Sequence, residues 1–136
     1  MIIKSISWQE ALPVRHCVLW PNKPESFCKV DGDENANHYG AFIDGKLICV
    51  ASIYIDGKIA RLRKFATLNE FQNKGIGSKV IAYLIDELKT NKIEYFWCDA
   101  RESAKGFYQR FAMQVQGERF FKSNVAYFKM QICLLE

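Results

Sequence analysis

The sequence predicts an α/β (α+β) fold in a single domain, with one mixed, mostly antiparallel sheet flanked by helices. Three observations lead there. Two Asp-Gly pairs, Asp44-Gly45 and Asp56-Gly57, punctuate runs rich in Ile, Val, Ala and Tyr, the pattern of a strand meander. The apolar period then lengthens to three and four residues through Ile76, Val80, Ile81, Leu84, Ile85 and Leu88, which marks one face of a helix. A continuous apolar run over residues 93–98, interrupted only by Glu94, follows as a buried strand. Strand, helix and strand in succession require a crossover, so the flanking strands are expected to be parallel.

Taken in order, residues 2–6 read as a strand and residues 8–20 as a helix with Pro13 in its first turns. Residues 21–37 are irregular, holding Pro21, Pro24, Gly32 and the acidic cluster Asp31, Asp33 and Glu34. The meander strands fall at 39–43, 47–55 and 58–67, because Asp-Gly accepts the positive φ angles of a tight turn. A polar connection at Asn69 and Glu70 precedes the first strongly amphipathic helix, which ends near 89–92. Ala104, Phe107, Tyr108 and Phe111, at i, i+3, i+4 and i+7, predict a second such helix, with Glu102 or Ser103 placed to cap its start. Strands at 115–121 and 125–134, joined by a turn at Ser123-Asn124, close the chain.

A length of 136 residues suits one domain spanning residues 1–136. Hydrophobic residues at 49% and charged residues at 25% exclude disorder over most of it. No apolar run approaches the ~18 residues that cross a bilayer. Ser5, Ser7, Gln9 and Glu10 follow Met1-Ile2-Ile3-Lys4 too closely for a signal-peptide core, so a cytoplasmic protein without a membrane partner is expected. The net charge of +4 favours anionic ligands but lacks the density of a dedicated DNA binder. Cys17, Cys28, Cys49, Cys98 and Cys133 are widely spaced and mostly among apolar neighbours, which predicts reduced core thiols. Neither CxxC nor HxxxH occurs, and no metal is expected.

The segment Gln72-Asn73-Lys74-Gly75-Ile76-Gly77 lies between a strand and the first turn of a helix. Glycines there let backbone amides approach a ligand, and the unpaired N–H groups and helix dipole attract phosphate. Lys74 adds a mobile cation. The segment is neither GxxxxGK[ST] nor GxGxxG, which argues against the usual nucleoside triphosphate and dinucleotide modes. Alternatively, Gly75 and Gly77 merely permit a tight turn.

This segment resembles the signature of the GNAT superfamily of N-acetyltransferases, Q/R-x-x-G-x-G/A after the fourth strand. Gly40-Ala41-Phe42 opening a meander, residues 62–71 leading into the signature, and CDARESAKGFYQRF over 98–111 are similar to the family in the same order. The likeness covers residues 39–134 and extends less specifically to Asp31-Gly32-Asp33-Glu34 and His38, as in small bacterial members.

The resemblance implies a sheet splayed between strands 4 and 5, with acetyl-CoA as cosubstrate in the cleft. It assigns the pantetheine arm to Phe65, Ala66 and Thr67 and the pyrophosphate to the amides of Asn73, Lys74, Gly75, Ile76, Gly77 and Ser78, with Gln72, Asp99, Phe107 and Tyr108 completing the cofactor site. Tyr108 matches the family's general acid for the departing thiolate, with core packing beside Phe107 and Phe111 as its bland alternative. A backbone N–H of a bulged fourth strand, at Ala66 or Thr67, would meet charge on the thioester oxygen. Glu34, His38 and Glu118 are candidate bases, and Glu34 is taken as the catalytic one. Asp99 stands where many relatives have Asn, and Ala112-Met113 replaces a frequent Gly-Phe, which predicts a different exit turn from the last helix.

The expected function is direct acetyl transfer to a primary amine of a small molecule or peptide through a ternary complex, by a monomer or homodimer. The alternative is a catalytically inactive acetyl-CoA- or CoA-binding sensor. Aromatic Trp20, Phe27 and Tyr39 with acidic Asp31, Asp33 and Glu34 would suit a cationic acceptor. A nucleic-acid module is disfavoured, since Arg119, Phe120, Phe121, Lys122, Tyr127, Phe128 and Lys129 alternate as any hairpin does. A Cys-dependent acyl enzyme is disfavoured too, because Cys28 and His38 have only a loose sequence relation.

Overall fold

Local turn chemistry and apolar periodicity set out the elements of the computed structural model, which describes residues 1–135. In chain order they are β1 (Ile2–Ile6), α1 (Trp8–Leu19), β2 (Asn37–Ile43), β3 (Lys46–Asp56), β4 (Ile59–Thr67), α2 (Ile76–Thr90), β5 (Tyr95–Arg101), α3 (Lys105–Gln109), β6 (Gln114–Lys122) and β7 (Val125–Cys133). The strands form a seven-stranded sheet in the order β1-β2-β3-β4-β5-β7-β6. β4 and β5 run parallel, with Ile59–Arg61 in register with Tyr95–Trp97. β1 with β2, β2 with β3, β5 with β7 and β6 with β7 are antiparallel. The mixed sheet and the crossover through α2 are those the sequence predicts.

The chain divides into two compact units, Met1–Tyr54 with Arg63–Leu84, and Ile55–Leu62 with Ile85–Glu136. In the first, Ser7 caps α1: its hydroxyl accepts from the Glu10 amide at 3.1 Å, and the Glu10 carboxylate accepts from the Ser7 amide at 2.9 Å. Ala11 and Val14 of α1 bury against Val50 and Ala66, with Ile6, Val18, Leu47 and Leu68 around them. In the second unit, Phe96, Cys98 and Ala100 of β5 are buried with Met113 and Met130.

Three local expectations are corrected. Ile93 precedes β5 instead of opening it: its amide bonds the Leu88 carbonyl at 3.0 Å, closing the end of α2, and its side chain is buried. The helix expected through Phe111 is a 3-10 turn, Glu102–Ala104, followed by the short α3, and neither Glu102 nor Ser103 makes a capping bond. Glu102 instead pairs with Arg119 at 3.3 Å. Of the five cysteines, Cys28, Cys49 and Cys98 are buried, but Cys17 and Cys133 are exposed.

The exit from α3 also differs from expectation. Ala112 adopts φ +65° in place of the missing glycine. Its amide bonds Gln109 at 3.0 Å while that of Met113 bonds Tyr108 at 3.4 Å, which together form a Schellman cap. The turn survives because hydrogen bonds and burial of Met113 offset the steric cost of a Cβ at positive φ. Ala112→Gly removes that cost, and thermal melts should show stabilisation of about 1 kcal/mol.

Candidate active site

In the first unit, β4 hands the chain to α2 through a loop built by its own side chains. The Gln72 amide nitrogen donates to the Thr67 carbonyl at 2.9 Å and to Asn69 Oδ1 at 3.1 Å, tying the loop back on the strand end. Asn73 and Gly75 take φ +61° and +79° on either side of Lys74. Such alternation turns successive amides toward one side, the geometry of an anion nest. The first backbone bond of α2 runs from the Lys79 amide to Gly75 at 3.2 Å. Ile76, Gly77 and Ser78 therefore present their N–H groups ahead of the intrahelical ladder. Asn73, Lys74 and Gly75 are exposed, whereas the Ile76 side chain is buried and anchors the turn.

β4 carries a residue at positive φ, Lys64 at +54°, one turn of the pleat before Ala66. Ala66 is buried, Phe65 and Thr67 half-buried. The Thr67 hydroxyl donates to Cys49 Sγ at 3.3 Å. Burial pushes the Cys49 thiol up to about 11, so it stays a neutral packing group.

In the second unit, alternation along β5 turns Phe96, Cys98 and Ala100 inward and leaves Tyr95, Trp97, Asp99 and Arg101 on the other face. Tyr108 of α3 is 7% exposed. Its ring meets Phe107 edge to face at 5.1 Å, and Phe107 meets Phe111 at 5.4 Å. The Tyr108 hydroxyl and the Cys98 thiol share a hydrogen bond. Burial, the dominant influence, holds the thiol up at about 12. Asp99 Oδ2 receives Arg61 Nη2 and Lys122 Nζ, each at 3.0 Å.

An exposed turn with two residues at positive φ after the fourth strand, and a buried tyrosine on the helix after the fifth, invite comparison with known proteins. A family model described as "Acetyltransferase (GNAT) domain" matches residues 22–134. The chain belongs to the GNAT acetyltransferases. It is an acyltransferase, and acetyl-CoA is the acyl donor its family uses. The "Uncharacterized N-acetyltransferase YitI" of Bacillus subtilis (strain 168) is 32% identical, covering 87% of this chain and 85% of that protein. The ribosomal-protein-S18-alanine N-acetyltransferase of Escherichia coli superposes with a TM-score of 0.82 at 16% identity, over 98% of this chain and 93% of that one. An aminoglycoside 6'-N-acetyltransferase complexed with coenzyme A gives 0.81 at 13% identity, over 100% and 98%. A GNAT family acetyltransferase of Elizabethkingia anophelis with acetyl-CoA bound gives 0.74 at 15%, over 97% of each chain.

Within this GNAT chain, Gln72 to Ser78 lie together on the turn into α2, with Phe65 to Thr67 on the strand that feeds it. Phe107 and Tyr108 share α3, beside β5. The Gln72 side chain is committed to the loop's own hydrogen bonds, and the Asp99 carboxylate to two cations. Of the candidate bases, Glu34 is exposed and held by Lys29 Nζ at 2.9 Å, an interaction that lowers its pKa and weakens it as a base. Glu118 is exposed next to Gly117, in the irregular stretch of β6.

His38 belongs to a buried network that the sequence reading missed. Arg15 is wholly buried and grips Asp33 with both guanidinium arms, at 2.8 and 3.0 Å. It also donates to Ser52 Oγ at 2.9 Å and to the Cys28 carbonyl at 3.0 Å. His38 Nε2 lies 2.8 Å from the Asp33 carbonyl and Nδ1 lies 2.7 Å from Ser52 Oγ. Because a carbonyl only accepts, Nε2 carries the proton; Nδ1 then accepts from Ser52. Tyr54 donates its hydroxyl to Asp33 Oδ1. The arrangement ties α1, the irregular segment, β2 and β3 into one structural knot. A signal existed: Arg15 falls on the apolar stripe Ala11, Val14, Val18, where a cation requires a buried carboxylate.

Proposed function

We propose that this chain transfers an acetyl group directly from acetyl-CoA to a primary amine of a small molecule or peptide, within a ternary complex in the cytoplasm. The observation that carries this reading is the turn into α2, where Asn73 and Gly75 at positive φ and the N–H groups of residues 76–78 form an anion nest at a helix start. Those amides, with Lys74, would hold the pyrophosphate of the donor. Phe65, Ala66 and Thr67 would bind its pantetheine arm through backbone groups, as an added strand does. Tyr108 would donate its phenolic proton to the departing sulfur. A backbone N–H at Ala66 or Thr67 would stabilise charge on the thioester oxygen.

Support comes from membership of the GNAT family, together with a turn segment and a tyrosine that resemble the family's motifs in sequence order. No helix among the described residues is long and apolar enough to cross a membrane. An inactive coenzyme sensor is the less favoured reading, because the chain retains both the tyrosine and the glycine-bearing loop.

Release of free CoA thiol, followed across a panel of amines, tests the activity: amine-dependent release is expected. Intact mass after incubation with acetyl-CoA alone should stay unchanged, since no acetyl-enzyme forms; an acetylated protein would contradict the direct route. Gly75→Val tests the nest. An added Cβ meets nothing within 4 Å, so space is ample, but φ +79° strains any L-residue and turns the loop. Calorimetry should show acetyl-CoA binding weakened about tenfold or more, and equal affinity would remove the loop from the site.

A further inference from the structure

The outward face of β5 and its neighbours carries charge and aromatic surface that acetyl transfer itself does not require. Arg61 on β4 is in register with Trp97, and Lys129 on β7 with Asp99. From the two strands flanking β5, the Arg61 guanidinium and the Lys129 ammonium lie 4.5 and 4.6 Å from the centre of the Trp97 ring. Lys122 bridges from Asp99, at 3.0 Å, to the Tyr127 ring, 5.1 Å from its centre. Two cations thus hold the Asp99 carboxylate, and a third, Lys129, lies over the neighbouring Trp97 ring.

A cationic ligand meets two deterrents here. Asp99, the carboxylate at the centre, already has two cationic partners, and the indole that would attract an ammonium is already engaged by Arg61 and Lys129. An anionic group meets the opposite: Lys122 has a side chain 48% exposed, and Lys129 has no carboxylate partner among the described residues. The expected acidic pocket for a cationic amine is also weakened in the first unit, where Arg15 neutralises Asp33 and Lys29 neutralises Glu34.

Position relates this face to the reaction. Cys98, which bonds the Tyr108 hydroxyl, and Asp99 are adjacent on β5 and project to opposite faces. The cationic face therefore lies directly across the strand from the proposed acid. We infer that this face holds the carboxylate or phosphate of an acceptor that bears both an amine and an anionic group. This rests on the acetyl-transfer reading. Lys129 and Lys122 supply the charge, and Trp97 and Tyr127 supply apolar surface for the acceptor's carbon skeleton.

Paired acceptors test it, with CoA release as the readout: phenylalanine against phenethylamine for the carboxylate, phosphoethanolamine against ethanolamine for the phosphate, and spermidine as the cationic contrast. At least one anionic member should exceed its neutral partner in kcat/KM by about tenfold or more, and the better pair identifies the anion. Lys129→Glu should remove that advantage through KM while leaving the neutral partner within about twofold. Equal rates within both pairs, a preference for spermidine, or an equal loss for charged and neutral acceptors would overturn the inference while leaving acetyl transfer intact. Absence of CoA release with every amine would instead count against acetyl transfer. A second measurement does not depend on turnover: the N-acetylated anionic member of the better pair should shift the Trp97 indole resonance at lower concentration than its neutral counterpart does, and an identical response to both would overturn the inference.

Discussion

Replacing Tyr108 by Phe should lower kcat by about 10²- to 10⁴-fold, the range for loss of a general acid, and leave the acetyl-CoA dissociation constant within about twofold. The substitution deletes one oxygen and keeps the ring that packs against Phe107 and Phe111. Its direct structural consequence is loss of the hydrogen bond with Cys98. That thiol is neutral and a weak hydrogen-bonding group, so melting should change little. Steady-state kinetics with an acceptor found in the amine panel, alongside calorimetry, separates the two effects. Unchanged turnover would return Tyr108 to the role of a core residue.

Asp33→Asn should destabilise the fold by about 3–5 kcal/mol, because it leaves the Arg15 guanidinium buried without its countercharge. Arg15 and Asp33 are 0% and 1% exposed, so water cannot screen the change. Urea unfolding measures it. Replacing Arg15 and Asp33 together by apolar residues of similar volume should recover much of the loss, since the pair's mutual attraction is largely offset by desolvation.

The same carboxylate sets an acid limit on stability. Burial pushes the Asp33 carboxyl up, but hydrogen bonds from Arg15, Tyr54 and the Val30 amide, with the Arg15 charge, outweigh it and bring it from 3.8 down to about 2. A carboxylate lowered by folding stabilises the native state above its unfolded pKa, and that contribution is lost as pH falls through the folded value. The wild type should therefore lose about 2 kcal/mol between roughly pH 4 and pH 2 from this group. Asp33→Asn should lack that part of the acid slope.

What was legible in the sequence was what neighbouring residues decide. Asp44-Gly45 and Ser123-Asn124 adopt positive φ and close the hairpins where the turn chemistry placed them. The apolar spacing from Ile76 to Leu88 marks α2, and Gln72 to Ser78 form the turn before and into it. Boundaries failed where apolarity alone was the guide, since Ile93 buries its side chain equally well at a helix exit or in a strand. Ala112 shows how tertiary packing overrides a local preference: the cap forms although the residue disfavours it. The Arg15–Asp33 contact spans 18 residues and depends on where the irregular segment returns to α1, information no short window contains. Nor does spacing reveal the salt bridge that Lys29 makes to Glu34 or the enclosure of His38 beside Ser52.

Crystals grown with coenzyme A provide the most direct test of the whole account. The account predicts diphosphate oxygens within hydrogen-bonding distance of the amides of residues 73–78 and the coenzyme sulfur beside the Tyr108 hydroxyl. A coenzyme lodged elsewhere, with protein side chains folded over those amides, would contradict it.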